Sequence, residues 1–260
     1  MNSTRRKQIF IAFETIVRKE IIRFVRIWSQ TLLPPVITMT LYFLIFGKLI
    51  GSQIQHINGY TYMQYIVPGL VMMAVMTNSY VNTSSSFFGA KFSKSIEELL
   101  VAPVPNYVIL FGFTFGGMLR GLVVGIIVMF ISLFFTHLHI YNAWVVIGMA
   151  TLSSMLFSVA GIINGIFAKK FDDVSFIPTF VLTPLTYLGG VFYSINQLPP
   201  FWKKLSLFNP IVNIVDTFRY GILGITDVSV TFSFIMVSSL VTLFSVWSLI
   251  LLRRGTGLRT

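Results

Sequence analysis

The chain contains no cysteine, which excludes disulfides and thiolate chemistry and leaves redox usage silent about compartment. Acidic residues are scarce too, eight Asp and Glu against nineteen Lys and Arg in 260 residues, for a formal charge of +11. Charged residues of both signs make up 10 % of the chain, where a soluble domain carries about a quarter. A GxxxxGK[ST] loop is missing, so the chain does not itself hold ATP phosphates in the P-loop manner, and any nucleotide energy has to come from a partner. His56, His137 and His139 have no HExxH, metal-spaced cluster or Ser/His/Asp set around them. They read as surface histidines, and neither a metal site nor a catalytic residue is expected. The stretches outside the apolar runs are too short to bury an independent soluble core.

Apolar length is what the chain has in abundance: 55 % hydrophobic residues and a mean hydropathy of +0.82. Residues 27–47, 49–90, 121–168, 174–202 and 228–252 hold no charge, and each run is long enough to cross hydrocarbon. The expected fold is an all-α integral membrane protein with six spans, at about 30–50, 62–87, 107–135, 143–168, 174–193 and 230–252. The basic residues fall between these runs on alternate sides. Fourteen of the nineteen lie in the N-terminal segment, at Lys91 and Lys94, at Lys169 and Lys170, and at Arg253, Arg254 and Arg259. By the positive-inside rule both termini are cytoplasmic. Basic clusters beside apolar spans are a topology signal first, so no nucleic-acid partner is expected; the partner is the lipid bilayer.

Three domains follow: a cytoplasmic leading helix at 1–29, a transmembrane domain at 30–252, and a cytoplasmic tail at 253–260. Arg18, Lys19, Arg23 and Arg26 interrupt any signal-peptide core in the leading segment. Phe10, Phe13, Val17, Ile21, Phe24 and Trp28 instead recur at helical spacing, which describes an amphipathic helix lying in the interface. Pro34 and Pro35 fall in the first turns of span one, whereas Pro178 and Pro184 kink or break span five. Gly117, Gly121 and Gly125, then Gly161 and Gly165, form small-residue stripes suited to close helix packing.

Segment 194–227 is too apolar for a solvated loop and is punctuated by Pro199-Pro200 and Asn209-Pro210. It reads as two short helices that re-enter the outer leaflet, or else as a loop lying flat on it. The cytoplasmic loop 89–106 holds a short helix with Lys94, Ile96, Glu97, Glu98, Leu99 and Leu100, stopped by Pro103 and Pro105. Exposed Ile96, Leu99 and Leu100 between acids could fill a groove on a soluble partner; the plainer reading is a helix on the membrane surface. All eight acids fall in loops or near span ends, which argues against a proton-coupled carrier. Arg120, near the middle of a span, either lines a polar path or bonds backbone carbonyls. Asp216 and Arg219 suit an i,i+3 pair that pins the re-entrant segment.

Together these features resemble the membrane subunit of an ABC exporter of the second permease class. The resemblance is most specific at Leu182, Leu185, Leu188, Gly189 and Val191, then Leu198 and Pro199, then Pro210, Ile211 and Arg219, which are similar in type and separation to the C-terminal signature of that class. Asn213 departs from it, standing where the class more often has His, Arg, Ser or Tyr. The run from Ile96 to Pro103 resembles the loop that meets the ATPase. The resemblance implies a half-transporter that dimerises and pairs with two separately encoded ATP-binding subunits carrying ATP and Mg, in a bacterial cytoplasmic (inner) membrane. It implies further that spans one, two and five line the route and that the re-entrant helices close its outer end. Tyr42, Phe43, Tyr65, Tyr80, Tyr187, Phe192 and Tyr193, with Arg120, would then supply an aromatic wall suited to sugars or to amphipathic lipids and drugs; the alternative is ordinary lipid-facing and packing aromatics. The competing functions are a non-transporting membrane anchor for a soluble complex, and a passive channel or scramblase.

Overall fold

The computed structural model describes residues 3–257 apart from Ser52, Ile54, Gln55 and Asn58; Arg259 of the expected tail lies outside the described residues. Helix α1 (Ser3–Arg26) is followed by the short α2 (Trp28–Thr31) and by α3 (Leu33–Tyr42), which continues as a π-helical stretch, Phe43–Ile50. Pro34 and Pro35 sit in the first turn of α3, where a missing N–H costs no helical bond. A small antiparallel hairpin, β1 (His56–Ile57) with β2 (Tyr60–Thr61), is the exception to an all-helical chain; Gly59 turns it at φ +86°. Thr61 and Gln64 then form a capping box that starts α4 (Tyr62–Phe92).

Helices α5 (Ser95–Val101), α6 (Asn106–Ser132) and α7 (Ala143–Phe167) follow. The next rod is interrupted: α8 (Phe171–Ile177), a π turn at Pro178–Leu182, then α9 (Thr183–Tyr187). The interruption has a visible cause. Pro178 cannot donate to the carbonyl of Val174, and the side-chain amide of Asn164 in α7 donates to that carbonyl instead, at 3.0 Å. Helices α10 (Pro200–Leu207) and α11 (Pro210–Leu223) begin at the two prolines singled out in the sequence, and α12 (Val230–Arg254) closes the chain.

Among the described residues, four helical stretches are long and apolar enough to cross a membrane: Trp28–Ile50, Asn106–Ser132, Ala143–Phe167 and Val230–Arg254. α4 is long enough but not apolar enough, because Asn78, Ser79, Asn82, Thr83, Ser84 and Ser86 occupy its middle and end. Those residues are buried, since α4 is the central post on which α6, α7 and α11 pack. Glycines make that packing close. A Cβ on Gly161 would stand 2.6 Å from the carbonyl oxygen of Tyr80, and one on Gly117 or Gly121 would overlap the hydroxyls of Thr83 or Ser79.

The ends of the bundle sort by charge. Lys91 Nζ donates to the carbonyls of Ile166 (2.8 Å) and Ala168 (2.7 Å), and Phe167 meets Trp247 with ring centroids 6.3 Å apart. Lys91, Lys94, Lys169, Lys170, Arg253 and Arg254 therefore share one end. At the other end the Tyr141 and Asn142 amides donate to the last carbonyls of α11, those of Ile222 and Gly221.

The leading helix turns a different face inward from the one its apolar pattern suggests. Ile16, Glu20 and Phe24 are buried, while Phe10 and Trp28 are exposed. Instead of lying apart from the bundle, α1 runs alongside α6 in the same direction, with Ile16 against Gly112 and Glu20 against Gly116, where the absence of a Cβ admits them. Of the expected apolar stripe, Phe24 is buried, Phe13, Val17 and Ile21 are half-buried, and Phe10 and Trp28 face outward.

Candidate functional site

Three parts of the structure gather the residues that the sequence singled out. At the basic end, the loop 89–106 turns at Lys94, whose φ of 59° lies in the left-handed region, and α5 follows at once. Glu97 and Glu98 are exposed in its first turn, where two carboxylates also favour the helix dipole. Ile96 corrects the sequence reading: it is fully buried, packed into a cluster with Ile16, Phe87, Ile109 and Phe113, and cannot enter a partner's groove. Leu99 and Leu100 are half-buried against the same cluster. The apolar side chains left outward are Val101, 87 % exposed, and Phe92. Helical phase explains the exchange, since one side of so short a helix must bind it to the bundle.

Near the opposite end, an aromatic box forms between the first span and the turn after α9. The hydroxyls of Tyr42 and Tyr187 are 3.0 Å apart, and Phe192 lies within 6.1 Å of Tyr42 and 6.0 Å of Tyr187 between ring centroids. Phe46 completes the box at 4.7 Å from Phe192. Sequence reasoning passed over Phe46, although its i+4 spacing from Tyr42 could have found it. Its place lies in the π-helical stretch, a geometry seen mostly as short bulges near functional sites. Two expected wall residues belong to the core instead. Phe43, one position round the helix from Tyr42, is fully buried against Phe135, and the ring of Tyr65 is buried under the guanidinium of Arg219, 4.0 Å from its centroid. Tyr80 is buried beside an apolar cavity of about 470 Å³ shared with Phe157, Asn164, Leu185 and Trp247. Tyr193 is half-buried and stands outside the box.

The signature residues build the joint that holds this box. Gly189 lets Ile211 approach so closely that a Cβ there would stand 2.6 Å from its side chain, and Val191 fits against Gly69 in α4. Asn209 caps α11 through the amide of Ile211 (3.0 Å), and its other side-chain atom donates to the Leu185 carbonyl at 2.6 Å, an acceptor left over where α9 ends. Arg219, fully buried, donates to the carbonyls of Gly190 (2.6 Å) and Tyr65 (3.3 Å) and to Asp216 Oδ1 (3.2 Å). Asp216 in turn accepts from Thr226 Oγ1 and the amides of Asp227 and Val228. A guanidinium with three acceptors on three elements fixes their relative placement. Tyr62 adds a bond to the carbonyl of Phe192 at 3.2 Å, so the backbone carrying that ring is held on both sides. Leu182 is buried, whereas Leu185 and Leu188 are partly exposed; Leu198, Pro199 and Pro210 set the ends of the short helices. Asn213, the departure from the signature, is buried and accepts from Ser233 Oγ at 3.4 Å.

Arg120 occupies a third place, at the junction of α2, α4 and α6, and is held there by hydrogen bonds. Its guanidinium donates to the carbonyl of Thr31 and to the side-chain oxygens of Asn78 and Asn82. Beside it lies a residue the sequence gave no reason to single out. Glu20 is fully buried, accepting from Ser86 Oγ (2.6 Å) and facing Arg23 at 3.3 Å. The acids are therefore not all peripheral.

Helices of membrane length wrapped round a polar post, with aromatic rings held at one end and an acidic helix presented at the other, make up the build of a membrane transport subunit. The family model described as ABC-2 type transporter matches residues 11–223, and the chain belongs to that family as the membrane subunit of an ABC transporter, a role partnered by an ATP-binding subunit. It is 58 % identical over 254 residues to the inner membrane transport permease YadH of Escherichia coli strain K12, covering 96 % of this chain and 98 % of that protein. A more distant relative, nodulation protein J of Rhizobium leguminosarum bv. viciae, is 20 % identical over 179 residues, 68 % of this chain and 69 % of that protein.

Proposed function

We propose that two copies of this chain and two ATP-binding subunits form an exporter that moves substrate out of the cytoplasm or the inner leaflet. ATP and Mg are held by the partner subunits. The chain lies in the bacterial inner membrane, the location in the name of its YadH relative, with both termini cytoplasmic. In this reading α4 and the interrupted α8–α9 rod complete six crossings, and α10 and α11 form the re-entrant segment. Support for re-entry comes from α11, whose first residues line the cavity beside Tyr80 while its last carbonyls meet the opposite end of the bundle.

Substrate passes along the outward face of the first span, past Arg120 at its foot and the box of Tyr42, Phe46, Tyr187 and Phe192 near its far end. Movement of α5 and α1 under the ATPase would shift the bundle between two packings. The observation that carries the coupling half of this reading is the exposed pair Glu97 and Glu98, presented on a helix whose other side is locked into the core by Ile96. Co-purification with a soluble ATPase encoded beside the gene tests it. Stable association and ATP hydrolysis are expected, both lost when Glu97 and Glu98 are reversed to Lys while the permease remains folded. Association and hydrolysis unchanged by the double reversal would remove the docking role proposed for α5.

A further inference from the structure

The polar cluster at the foot of the first span is short of acceptors. Arg120 is 9 % exposed, and each oxygen it reaches is neutral: the Thr31 carbonyl at 3.2 Å, Asn78 Oδ1 at 3.4 Å and Asn82 Oδ1 at 3.4 Å. Arg23 competes for the same asparagine, donating to Asn82 Oδ1 at 2.7 Å and to its carbonyl at 3.0 Å, and meets Glu20 at 3.3 Å. Glu20 is already shared with Ser86. Two guanidiniums thus stand against one carboxylate, and the cluster has a net positive charge.

The unsatisfied atoms point the same way. Arg23 Nε, Arg120 Nε and Asn82 Nδ2 are buried without a hydrogen-bond partner, and all three are donors. A buried cation with no opposing charge is costly, and in a membrane protein such a group faces a path or a ligand. An acceptor-rich anion would offset the charge and take up these donors together, which is the chemistry of a phosphate group meeting arginines. The site is reachable, because the Arg23 side chain keeps 30 % of its surface exposed. Asn82 sits ten residues before the end of α4 at Phe92, about 15 Å along the helix from the basic end, a depth suited to a group drawn in from the adjoining leaflet.

We propose that Arg23, Arg120 and Asn82 bind a phosphate-bearing group at the base of the first span. The inference deepens the path reading of the previous section by naming the chemistry of what arrives there. The phosphate belongs to a lipid headgroup or to a free anion, and the same experiment separates the two.

The full-length chain in detergent is titrated with dioctanoyl phosphatidate, with dioctanoylglycerol, which has the same tails and no phosphate, and with inorganic phosphate, following the melting temperature to saturation. Phosphatidate is expected to stabilise the chain where dioctanoylglycerol does not, and Arg120→Gln to weaken that binding by about tenfold or more. A response to inorganic phosphate as well would assign the site to the free anion; a response to phosphatidate alone would assign it to the lipid. Glu20→Gln supplies the control that damage cannot mimic: removing the carboxylate raises the net charge, so phosphatidate should bind more tightly. Equal responses to phosphatidate and dioctanoylglycerol, or affinities indifferent to both substitutions, would overturn the proposal. The measurement needs neither ATP nor the partner subunit, so its failure leaves the permease reading intact, and failure of ATPase association leaves this site intact.

Discussion

At the scale of single residues, Arg219 shows how a family signature becomes a physical constraint. Its guanidinium reaches Tyr65 in α4, Gly190 after α9 and Asp216 within α11, and its face covers the Tyr65 ring. Arg219→Ala leaves Asp216 charged and buried, with its remaining donors on the 226–228 turn, and removes the tie to two other elements. The expected loss is about 3–5 kcal/mol, measured as unfolding in denaturant. Arg219→Lys keeps the charge but not the fork that serves three acceptors, so it should fall between the alanine variant and the native chain. An equal unfolding midpoint for all three would show that the joint is not held this way. Arg219 could be singled out in the sequence by its spacing from Asp216, but its other acceptors are backbone carbonyls, which no sequence pattern marks. Glu20 was invisible for a related reason: nothing local separates a solvated carboxylate from one whose partners, Ser86 and Arg23, come to it through packing.

At the scale of elements, the interrupted rod of α8 and α9 rests on a transfer of hydrogen bonding from backbone to side chain. Asn164 donates to the Val174 carbonyl that Pro178 leaves free, and to Ser84 Oγ at 2.9 Å, tying the interruption to α7 and α4. Asn164→Leu should destabilise the folded chain by about 1–3 kcal/mol, because that carbonyl is then buried without a donor. Pro178→Ala restores the backbone N–H, so in that background most of the loss from Asn164→Leu should disappear. A double-mutant cycle of thermal melts reads the coupling, and additive effects would refute the transfer. The sequence located the interruption correctly from Pro178 and Pro184. It did not reveal which neighbour repairs it, since Asn164 read only as one polar residue in an apolar span. The leading helix gives the converse lesson. Its periodic apolar residues read as an amphipathic helix lying in the interface; glycines at 112 and 116 drew in the side carrying Ile16, Glu20 and Phe24, leaving Phe10 and Trp28 outside and Phe13, Val17 and Ile21 half-buried.

For the whole molecule, the least covered of the four membrane-length stretches among the described residues is the first span. Only 11 % of its apolar window is buried, against 44 % in α6 and 50 % in α7. Ile37, Leu41, Leu44 and Ile45 face outward along it. The proposed dimer places a second copy against this face, and the cysteine-free chain is suited to a direct test. A single cysteine at Leu41 should crosslink between copies in native membranes, while one at Ile235 on the outward side of α12 should not. Recovery of only monomers from membranes with working transport would remove the dimer from the proposal.

Hydrophobic run length, the alternation of basic clusters and the prolines are local properties, and from them the sequence alone determined an all-helical membrane protein, the sharing of one end by its basic pairs, the helix starts at Pro200 and Pro210 and the family signature. Which side of each helix meets its neighbours was decided only in the tertiary structure. A rotation of about 100° per residue separates Tyr42 in the aromatic box from Phe43 in the core, and Ile96 under the bundle from Glu97 outside it. Along a uniformly apolar span, composition carries little information about that rotation. Glycine contacts, buried hydrogen bonds and the polar middle of α4 set it, because each depends on atoms brought from elsewhere in the chain.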